Sequence, residues 1–493
     1  MKIVSLLKAA VQRVWQRLDK PVPAFPVDLF RIGVGLLSAA YFWRLYREVP
    51  TISSSDGPID HKLVRKIFPY TRMGFFPLES SDKFLCAVHL TAVAASFSVA
   101  AGVAVRPNTL FLYATAVSSY RRNFITLYVD DAMMHLVLFW LLLLPTGHTL
   151  TLNKQNRQPW QTATVPGFTV QAFLANLSLI YFVAGLWKWD SPLWKEGLGL
   201  YVALKIPMSY APQFWSPRLQ PLLAPISYSV LVGEPILATL PLLPNHSPLK
   251  YGLGGSLLAF HTGIIGTLRV PYANVACIAT LPLLFRNELM QSLAPSAQPD
   301  DPIMARTSTV QKVVATTLLI LLMLANIWRI NERHPVSKEG NSQDGEIRAY
   351  KNPWHMLLWA MGMAQSYRLM DWIDQLNWHI YYEGQELMAG EIQPFNTDRL
   401  FPKTARHVFL HSYIQNRSWR VPTTYLAELQ VSLLKRYVRQ FARQTPNTGH
   451  ITIYTNIGRI TSDNIDLHDM QRFKLLQFSV QDGVATIDFM HLT

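Results

Sequence analysis

The feature that most constrains the fold is a series of long apolar runs containing few charged residues. The run from residue 168 to residue 187 has the roughly 20 residues that a helix needs to cross a bilayer. Only 15% of the 493 residues are charged, whereas a soluble chain carries about 25%. We therefore predict a polytopic α-helical membrane protein with about nine transmembrane helices. The runs are 27–46, 83–105, 109–129, 132–152, 168–187, 222–243, 252–270, 271–289 and 310–330.

The charge distribution and the cysteines argue against two other classes of protein. The net charge is +14, but the basic residues are scattered between the apolar runs and form no dense tract. Positive loops of a membrane protein explain them, so we expect lipid and no nucleic acid as a partner. Cys86 and Cys277 both lie inside apolar runs, which argues against a disulfide scaffold or a zinc cluster. We expect no metal.

The character of the chain changes after residue 330, which predicts two domains. Residues 1–330 form the transmembrane domain, beginning with a basic amphipathic helix over residues 1–20. Residues 331–493 comprise a polar linker at 335–344, a membrane-proximal helix at 354–370 and a small α/β domain.

Alternation and turn signals predict the elements of that α/β domain. We expect one hairpin to turn at Glu383-Gly384, and a second to turn at 481–483. The first hairpin should pair with a later strand in one sheet, and an amphipathic helix should pack on that sheet. The segments are the hairpin 378–392, the helix 423–444, the strand 450–456 and the second hairpin 475–489.

Ionisable residues inside apolar runs are costly, so each invites an explanation. Arg31 should face the other helices and pair with an acid or with helix-end carbonyls. Glu234 is either a functional group or a carboxyl that is neutral or paired with Arg or Lys. His261 is a catalytic candidate or a hydrogen-bonded core residue. Lys188 is either an interfacial anchor between Trp187 and Trp189 or a buried base, because burial disfavours the ammonium form.

The surroundings of Lys188 resemble a known family. Ala184-Gly185-x-x-Lys188-x-Asp190, followed by Trp194-x-Glu196-Gly197, resembles the fifth-helix signature of the vitamin K-dependent γ-glutamyl carboxylases and of the wider horizontally transferred transmembrane (HTTM) proteins. Three other segments resemble the family at corresponding places. They are Phe30-Arg31-Ile32 before Gly35-Leu36, Phe260-His261 before Pro282-Leu283, and the segment from Ser366 to Met370.

The resemblance implies a reaction and its participants. In that family a lysine deprotonates a reduced naphthoquinone, O2 then adds, and CO2 is finally attached to a peptidyl glutamate. Lys188 would be the base and His261 would assist it, either in a peptidyl-glutamate carboxylase or in a quinol epoxidase that has lost carboxylation. The quinol would be vitamin K hydroquinone or, in a bacterium, menaquinol, and the substrate a secreted peptide or protein. The resemblance points to Trp187, Trp189, Asp190, Trp194 and His135 as residues around the quinone.

The sequence departs from the family at one pair of residues. Asp130-Asp131 stands where the family has Asn-His before the fourth span, so these two carboxylates and Arg31 are assigned structural roles. His135, one helical turn further on, could replace the missing histidine. On this interpretation, Lys188→Ala should abolish quinol consumption and leave the fold intact.

Two other functions remain open at the level of sequence. One is a non-enzymatic HTTM factor for the maturation or export of a secreted peptide. The other is a small-molecule transporter, which the lack of an internal repeat disfavours. Five basic residues among the first 20 place the N-terminus inside and, with nine spans, the C-terminal domain outside the inner or plasma membrane. Arg329, Arg333 and Lys338 argue for the opposite orientation.

Overall fold

Helices dominate the chain as far as Asn331, and a five-stranded sheet with two helices follows it. The computed structural model describes residues 14–68, 74–77, 80–126, 128–298, 300–301, 303, 306–331, 358, 361–363, 377–388, 390–415 and 423–492. The helices of the first part are α1 Ala24–Glu48, α2 His61–Ile67, α3 Asp82–Ala100, α4 Val105–Arg122, α5 Val129–Leu143, α6 Phe168–Lys188, α7 Pro192–Lys195, α8 Gly199–Lys205, α9 Gln220–Leu237, α10 Pro248–Thr267, α11 Pro271–Ile278, α12 Leu281–Leu284, α13 Arg286–Leu293 and α14 Thr309–Asn331.

Within the described chain, four helices are long and apolar enough to cross a membrane. They span Ala24–Ser53, Asp82–Ala100, Phe168–Lys188 and Thr309–Asn326, the first of them extended beyond α1 by a π-helical turn. They coincide with the first, second, fifth and ninth apolar runs of the sequence. The predicted mostly helical class, with membrane-length helices and a small C-terminal sheet, is therefore confirmed.

Two apolar runs do not form the single long helices that their composition suggests. In the fourth run, α5 ends at Leu143, two residues before Pro145. The chain beyond it folds back so that the backbone N–H groups of residues 147–150 donate to the Asp28 carboxylate. The eighth run is divided into α11, α12 and α13, and Pro282 lies at the start of α12, where its missing N–H is tolerated. Proline therefore decides both departures.

Arg31 joins three segments of the helical part. Its side chain is fully buried, and its Nε donates to Asp28 Oδ1 over 3.2 Å. Its Nη1 donates to the carbonyls of Val99 (2.6 Å) and Ala100 (2.5 Å) at the end of α3, and its Nη2 donates to the carbonyl of Leu150. The expectation that Arg31 pairs with an acid or with helix-end carbonyls is confirmed, since it does both.

The C-terminal sheet is antiparallel throughout, and its strands lie in the order Glu391–Phe395, Trp378–Met388, Thr448–Arg459, Gln471–Gln481 and Val484–Met490. Leu387 pairs with His450 and Tyr381 with Asn456, so the first hairpin and the later strand share one sheet as predicted. The elements are β3 Trp378–Met388, β4 Glu391–Phe395, α15 Ala405–Ile414, α16 Thr423–Gln444, β5 Thr448–Arg459, β6 Gln471–Gln481 and β7 Val484–Met490. A separate two-stranded pair, β1 Val22–Pro23 and β2 Thr164–Val165, lies beside the start of α1.

The amphipathic helix α16 packs on this sheet, which confirms the second expectation for the domain. Its apolar side shares one core with the buried side chains of β5 and β6, together with residues of the helical part near α2 and α4. The core includes Leu429, Leu433, Tyr437, Phe441, Ile451, Ile453, Leu475 and Phe478 from the C-terminal part, and Ile52, Ile59, Leu63, Phe124 and Ile125 from the helical part. The two parts therefore pack against each other.

One predicted turn is correct and the other is wrong. Asp482 and Gly483 both have positive φ, as a two-residue hairpin turn between β6 and β7 requires. The chain does not turn at Glu383-Gly384, because β3 runs through both residues and the chain reverses near Gly390 (φ +87°). Gly384 instead permits a close approach of two strands, because a Cβ there would lie 2.7 Å from Phe395 Cδ1 on the neighbouring strand.

Several predictions concern parts of the chain outside the described residues. They are most of the N-terminal amphipathic helix, the linker 335–344, and the membrane-proximal helix 354–370 apart from residues 358 and 361–363. The domain boundary at residue 330 therefore stays a prediction.

Removing the Arg31 guanidinium should destabilise the helical part strongly. Arg31→Met leaves the buried Asp28 carboxylate without its counter-ion, which typically costs about 3–5 kcal/mol. Thermal unfolding of the purified protein measures the loss. Arg47→Met, at an exposed position on the same helix, is the control and should change the melting temperature little. Equal melting temperatures for the two variants would contradict the structural role of Arg31.

The C-terminal part should lose stability in mild acid. His407 is buried with its Nδ1 2.7 Å from the Tyr437 hydroxyl, and burial lowers the pKa of His407 to about 4. An unfolded histidine has a pKa near 6.5, so between about pH 6.5 and 4 the unfolded chain binds more protons than the folded one. The free energy of unfolding should fall by up to about 1.4 kcal/mol per pH unit for this histidine. Hydrogen exchange of the β5 amides measures it, and His407→Gln should make the slope shallower; an unchanged slope would refute this assignment.

Candidate active site

Lys188 and Glu234 form a buried ion pair between α6 and α9. Lys188 is the last residue of α6, and its side chain is only 2% exposed. Its Nζ lies 2.6 Å from Glu234 Oε2, and the Glu234 side chain is 6% exposed. Of the alternatives left open for Glu234, the structure shows a carboxyl paired with a lysine. The interpretation of Lys188 as an interfacial anchor is wrong, because its ammonium group lies among the helices rather than in water.

A glycine permits the close approach of the two helices at this pair. Gly185 lies three residues before Lys188, on the same side of α6. A Cβ at Gly185 would lie 2.4 Å from Pro235 Cδ and 2.9 Å from the Pro235 nitrogen. Any larger side chain would therefore push α9 away and separate Glu234 from Lys188. Helix packing thus explains why the sequence motif has a glycine at position 185.

The apolar surroundings require that the pair be neutral as a whole. Lys188 and Glu234 satisfy this either as ammonium with carboxylate or as amine with carboxylic acid, which differ only in the position of one shared proton. This changes the expectation for Lys188→Ala. That substitution would leave Glu234 buried without its partner, which typically costs about 3–5 kcal/mol, so we expect Lys188→Ala to lower the stability of the fold.

The tryptophans around Lys188 divide into buried and exposed ones. Trp194 is buried, and its ring centroid lies 5.6 Å from Lys188 Nζ. Its ring also lies against Gly199, where a Cβ would clash with it. Trp187 is buried as well. Trp189 is 47% exposed and donates from Nε1 to the Leu231 carbonyl over 3.1 Å, and Asp190 is exposed beyond the end of α6. Trp194 is therefore the predicted ring that contacts Lys188.

His261 is held by side chains on either side of its ring. Its Nε2 lies 2.5 Å from the Tyr181 hydroxyl, and its Nδ1 lies 2.7 Å from Asn274 Oδ1. The Asn274 amide nitrogen donates to the Val270 carbonyl over 2.6 Å, which fixes the orientation of the amide. Asn274 lies in α11, so His261 connects α6, α10 and α11.

Tyr181 brings the surroundings of His261 close to those of Lys188. It lies on α6 two turns before Lys188, so the two side chains project from nearly the same side of the helix. Lys188, Glu234, Tyr181 and His261 are all buried and thus form a buried polar region along one side of α6.

Asp130 and Asp131 belong to a second charged cluster, which connects the helices to the C-terminal part. Arg406 of α15 donates to Glu48 Oε2 over 2.7 Å and to Asp131 Oδ1 over 2.6 Å. Asp130 Oδ1 accepts from the backbone N–H of Ala273 over 2.8 Å, at the start of α11. All of these side chains are buried, so Asp130 connects two helices and Asp131 connects α5 to the C-terminal part.

His135 lies beside a different part of the chain. Its Nδ1 is 2.8 Å from the Gly362 carbonyl, and its ring meets that of Tyr120 edge-on at 5.2 Å. A role for His135 in orienting Lys188 or binding a quinone stays a prediction.

The residues that sequence reasoning missed include Arg406, Asn274 and Tyr181. Arg406 has no local signal, although two aspartates inside an apolar run imply a buried cation somewhere. Asn274 is an ordinary polar residue in the sequence. Tyr181 could have been found, because it lies seven residues before Lys188 and thus on the same helical face.

Two further observations concern metal ligands and the similarity of the chain to known proteins. In the part of the chain that the structure describes, no three or more His, Cys, Asp and Glu side chains come together as metal ligands. The chain matches no family model, no curated protein and no solved structure.

The Arg406 cluster predicts a large effect of one C-terminal substitution on the whole protein. Arg406→Leu leaves Asp131 and Glu48 buried beside one fewer cation, at a cost of about 3–5 kcal/mol. Arg443, which pairs with Asp56 at the surface of the same two parts, supplies the control Arg443→Leu. That control should lower the melting temperature little, because exposed pairs stabilise by at most about 1 kcal/mol.

Adding Asp131→Asn to Arg406→Leu should recover part of the loss, because it removes one of the unpaired carboxylates. Calorimetry of the three variants tests this. A loss for Arg406→Leu no larger than for Arg443→Leu would contradict the role of the cluster.

Proposed function

We propose that the helical part is a bundle of about nine spans embedded in a membrane, with the α/β part on its outer side. The exposed faces of its helices support this, because they are apolar where a soluble protein would carry charges. The exposed side chains include Leu36 and Trp43 of α1, Leu90 and Phe97 of α3, Leu222, Ile226, Val232 and Ile236 of α9, and Val310, Val313 and Ile320 of α14. Lipid is the solvent that suits such faces.

We further propose that this bundle is a quinol- and O2-dependent enzyme of the vitamin K-dependent carboxylase type, which carboxylates peptidyl glutamate. The observation that carries the proposal is the buried Lys188–Glu234 pair at the end of α6, within the sequence motif that resembles the carboxylases. Buried lysines that share a polar region with other titratable groups are frequent at active sites. The reduced naphthoquinone supplies the electrons for O2, and CO2 is the second co-substrate.

The residues around the pair suit a planar, weakly acidic hydroxyl compound. In its amine form, with the proton on Glu234, Lys188 presents a lone pair that accepts the proton of a quinol hydroxyl as the O–H bond breaks. The Trp194 ring, 5.6 Å from Nζ, offers an aromatic surface for the flat ring system. The surrounding apolar side chains exclude water, so the basic product of the proton transfer is protected from quenching.

A non-enzymatic role in peptide maturation or export is the second candidate. The observation in its favour is another buried pair of the same chemistry. Lys250 Nζ lies 2.7 Å from Glu288 Oε1, and both side chains are 5% exposed, although no sequence motif surrounds them. A buried Lys–Glu pair in this bundle can therefore have a structural role. On this second candidate function, the Lys188–Glu234 pair likewise only holds two helices together.

The second pair provides a matched control for the functional experiment. Lys188→Arg keeps a cation beside Glu234, but a guanidinium does not give up its proton and cannot act as a base. We expect Lys188→Arg in lipid nanodiscs to reduce O2-dependent consumption of a reduced naphthoquinone by at least about 100-fold, the usual contribution of a general base. Lys250→Arg makes the same change at the other pair and should retain the activity of the unmodified chain.

Two results would contradict the proposal. One is quinol consumption by Lys188→Arg at the rate of Lys250→Arg. The other is a complete absence of quinol consumption by the folded unmodified chain, which would favour the maturation factor.

A further inference from the structure

We infer that the Tyr181 hydroxyl, oriented by His261 and Asn274, binds the quinol hydroxyl that lies farther from Lys188. The inference rests on the proposed function and adds how the substrate is recognised: both hydroxyls of a para-quinol are bound, one at each end of the buried polar region.

The hydrogen bonds around His261 determine which atoms donate. The Asn274 amide nitrogen is engaged with the Val270 carbonyl, so the atom that faces His261 is the amide oxygen, which can only accept. His261 Nδ1 therefore carries a proton, and in the neutral ring Nε2 has a lone pair. The Tyr181 hydroxyl donates its proton to that lone pair over 2.5 Å.

This arrangement leaves Tyr181, and not His261, able to meet a substrate. Both ring nitrogens of His261 are engaged by Tyr181 and Asn274. The Tyr181 oxygen has two lone pairs, and its own proton is already directed at His261, so it acts as an acceptor toward anything else. A lone pair of the Tyr181 oxygen can therefore accept from a hydroxyl donor. His261 and Asn274 are thus positioning residues that act through Tyr181.

The spacing along α6 suits a compound with a hydroxyl at each end. Tyr181 and Lys188 are seven residues apart, which corresponds to about 10 Å along the helix axis. A para-quinol carries its two hydroxyls at opposite ends of a ring, so a ring lying between these levels donates to Tyr181 at one end and to Lys188 at the other. Glu234 of α9 pairs with Lys188 at the second of these levels.

The test measures equilibrium binding of menadiol and of its two monomethyl ethers to the full-length protein in nanodiscs, without oxygen. Each ether lacks one of the two donors. The unmodified chain should bind each ether about tenfold more weakly than menadiol, the effect of one lost hydrogen bond. Tyr181→Phe should lose the discrimination against one ether and keep it against the other. Tyr413→Phe removes a buried hydroxyl that donates to the Ile125 carbonyl, and should discriminate against both ethers.

A fluorinated tyrosine at position 181 keeps the hydroxyl and should restore discrimination against both ethers. This result would show that the missing hydroxyl, and not a change in packing, causes the effect of Tyr181→Phe. Discrimination against both ethers by Tyr181→Phe, with menadiol still bound, would overturn this inference and leave the proposed function standing. Failure of the fluorinated variant to restore discrimination would also overturn it alone. If the unmodified chain does not bind menadiol, the proposed function and this inference both fall.

Discussion

The requirement that buried charge be neutralised governs this structure. In an apolar bundle an isolated carboxylate or ammonium is too costly to keep, so each one must find a partner within reach. Arg31 pairs with Asp28, Lys188 with Glu234, and Lys250 with Glu288. The Lys188–Glu234 and Lys250–Glu288 pairs join different helices, whereas Asp28 and Arg31 lie in α1 and each also binds backbone groups of other segments.

The same requirement links the helical part to the C-terminal part. Asp130 and Asp131 lie at the first turn of α5, and the cation beside Asp131 comes from α15 of the C-terminal part. Asp130 in turn accepts the backbone N–H of Ala273, next to the Asn274 that holds His261. The charged cluster at the domain contact and the region around His261 therefore share α11.

Much of this could be predicted from the sequence, because apolar length and alternation report local structure directly. The runs ending near Tyr46 and Lys188 give long helices, and the pairing of the hairpin with the strand at His450 follows from alternation. The partners of the buried charges were harder to predict. The sequence indicates that Arg31 needs an acid, whereas the pairing of Arg406 with Asp131 depends on tertiary packing between residues 275 positions apart. The prediction of a turn at Glu383-Gly384 is wrong because the glycine there permits a close contact between two strands and does not reverse the chain.

The role proposed for Lys188 depends on its setting more than on its residue type. Lys250 has an equally buried carboxylate partner, and Asn245, His246 and Tyr251 make hydrogen bonds around that pair. Lys188 differs in that one helical face presents it together with Tyr181, and we propose that a bound hydroxyl compound donates to both. An experimental structure of the protein in a lipid nanodisc with a reduced naphthoquinone tests this most directly. The account predicts the quinol ring between α6 and α9, with a hydroxyl within hydrogen-bond distance of Lys188 Nζ. An undisturbed Lys188–Glu234 pair, with the quinol bound only on the lipid-facing surface of the helices, would contradict it.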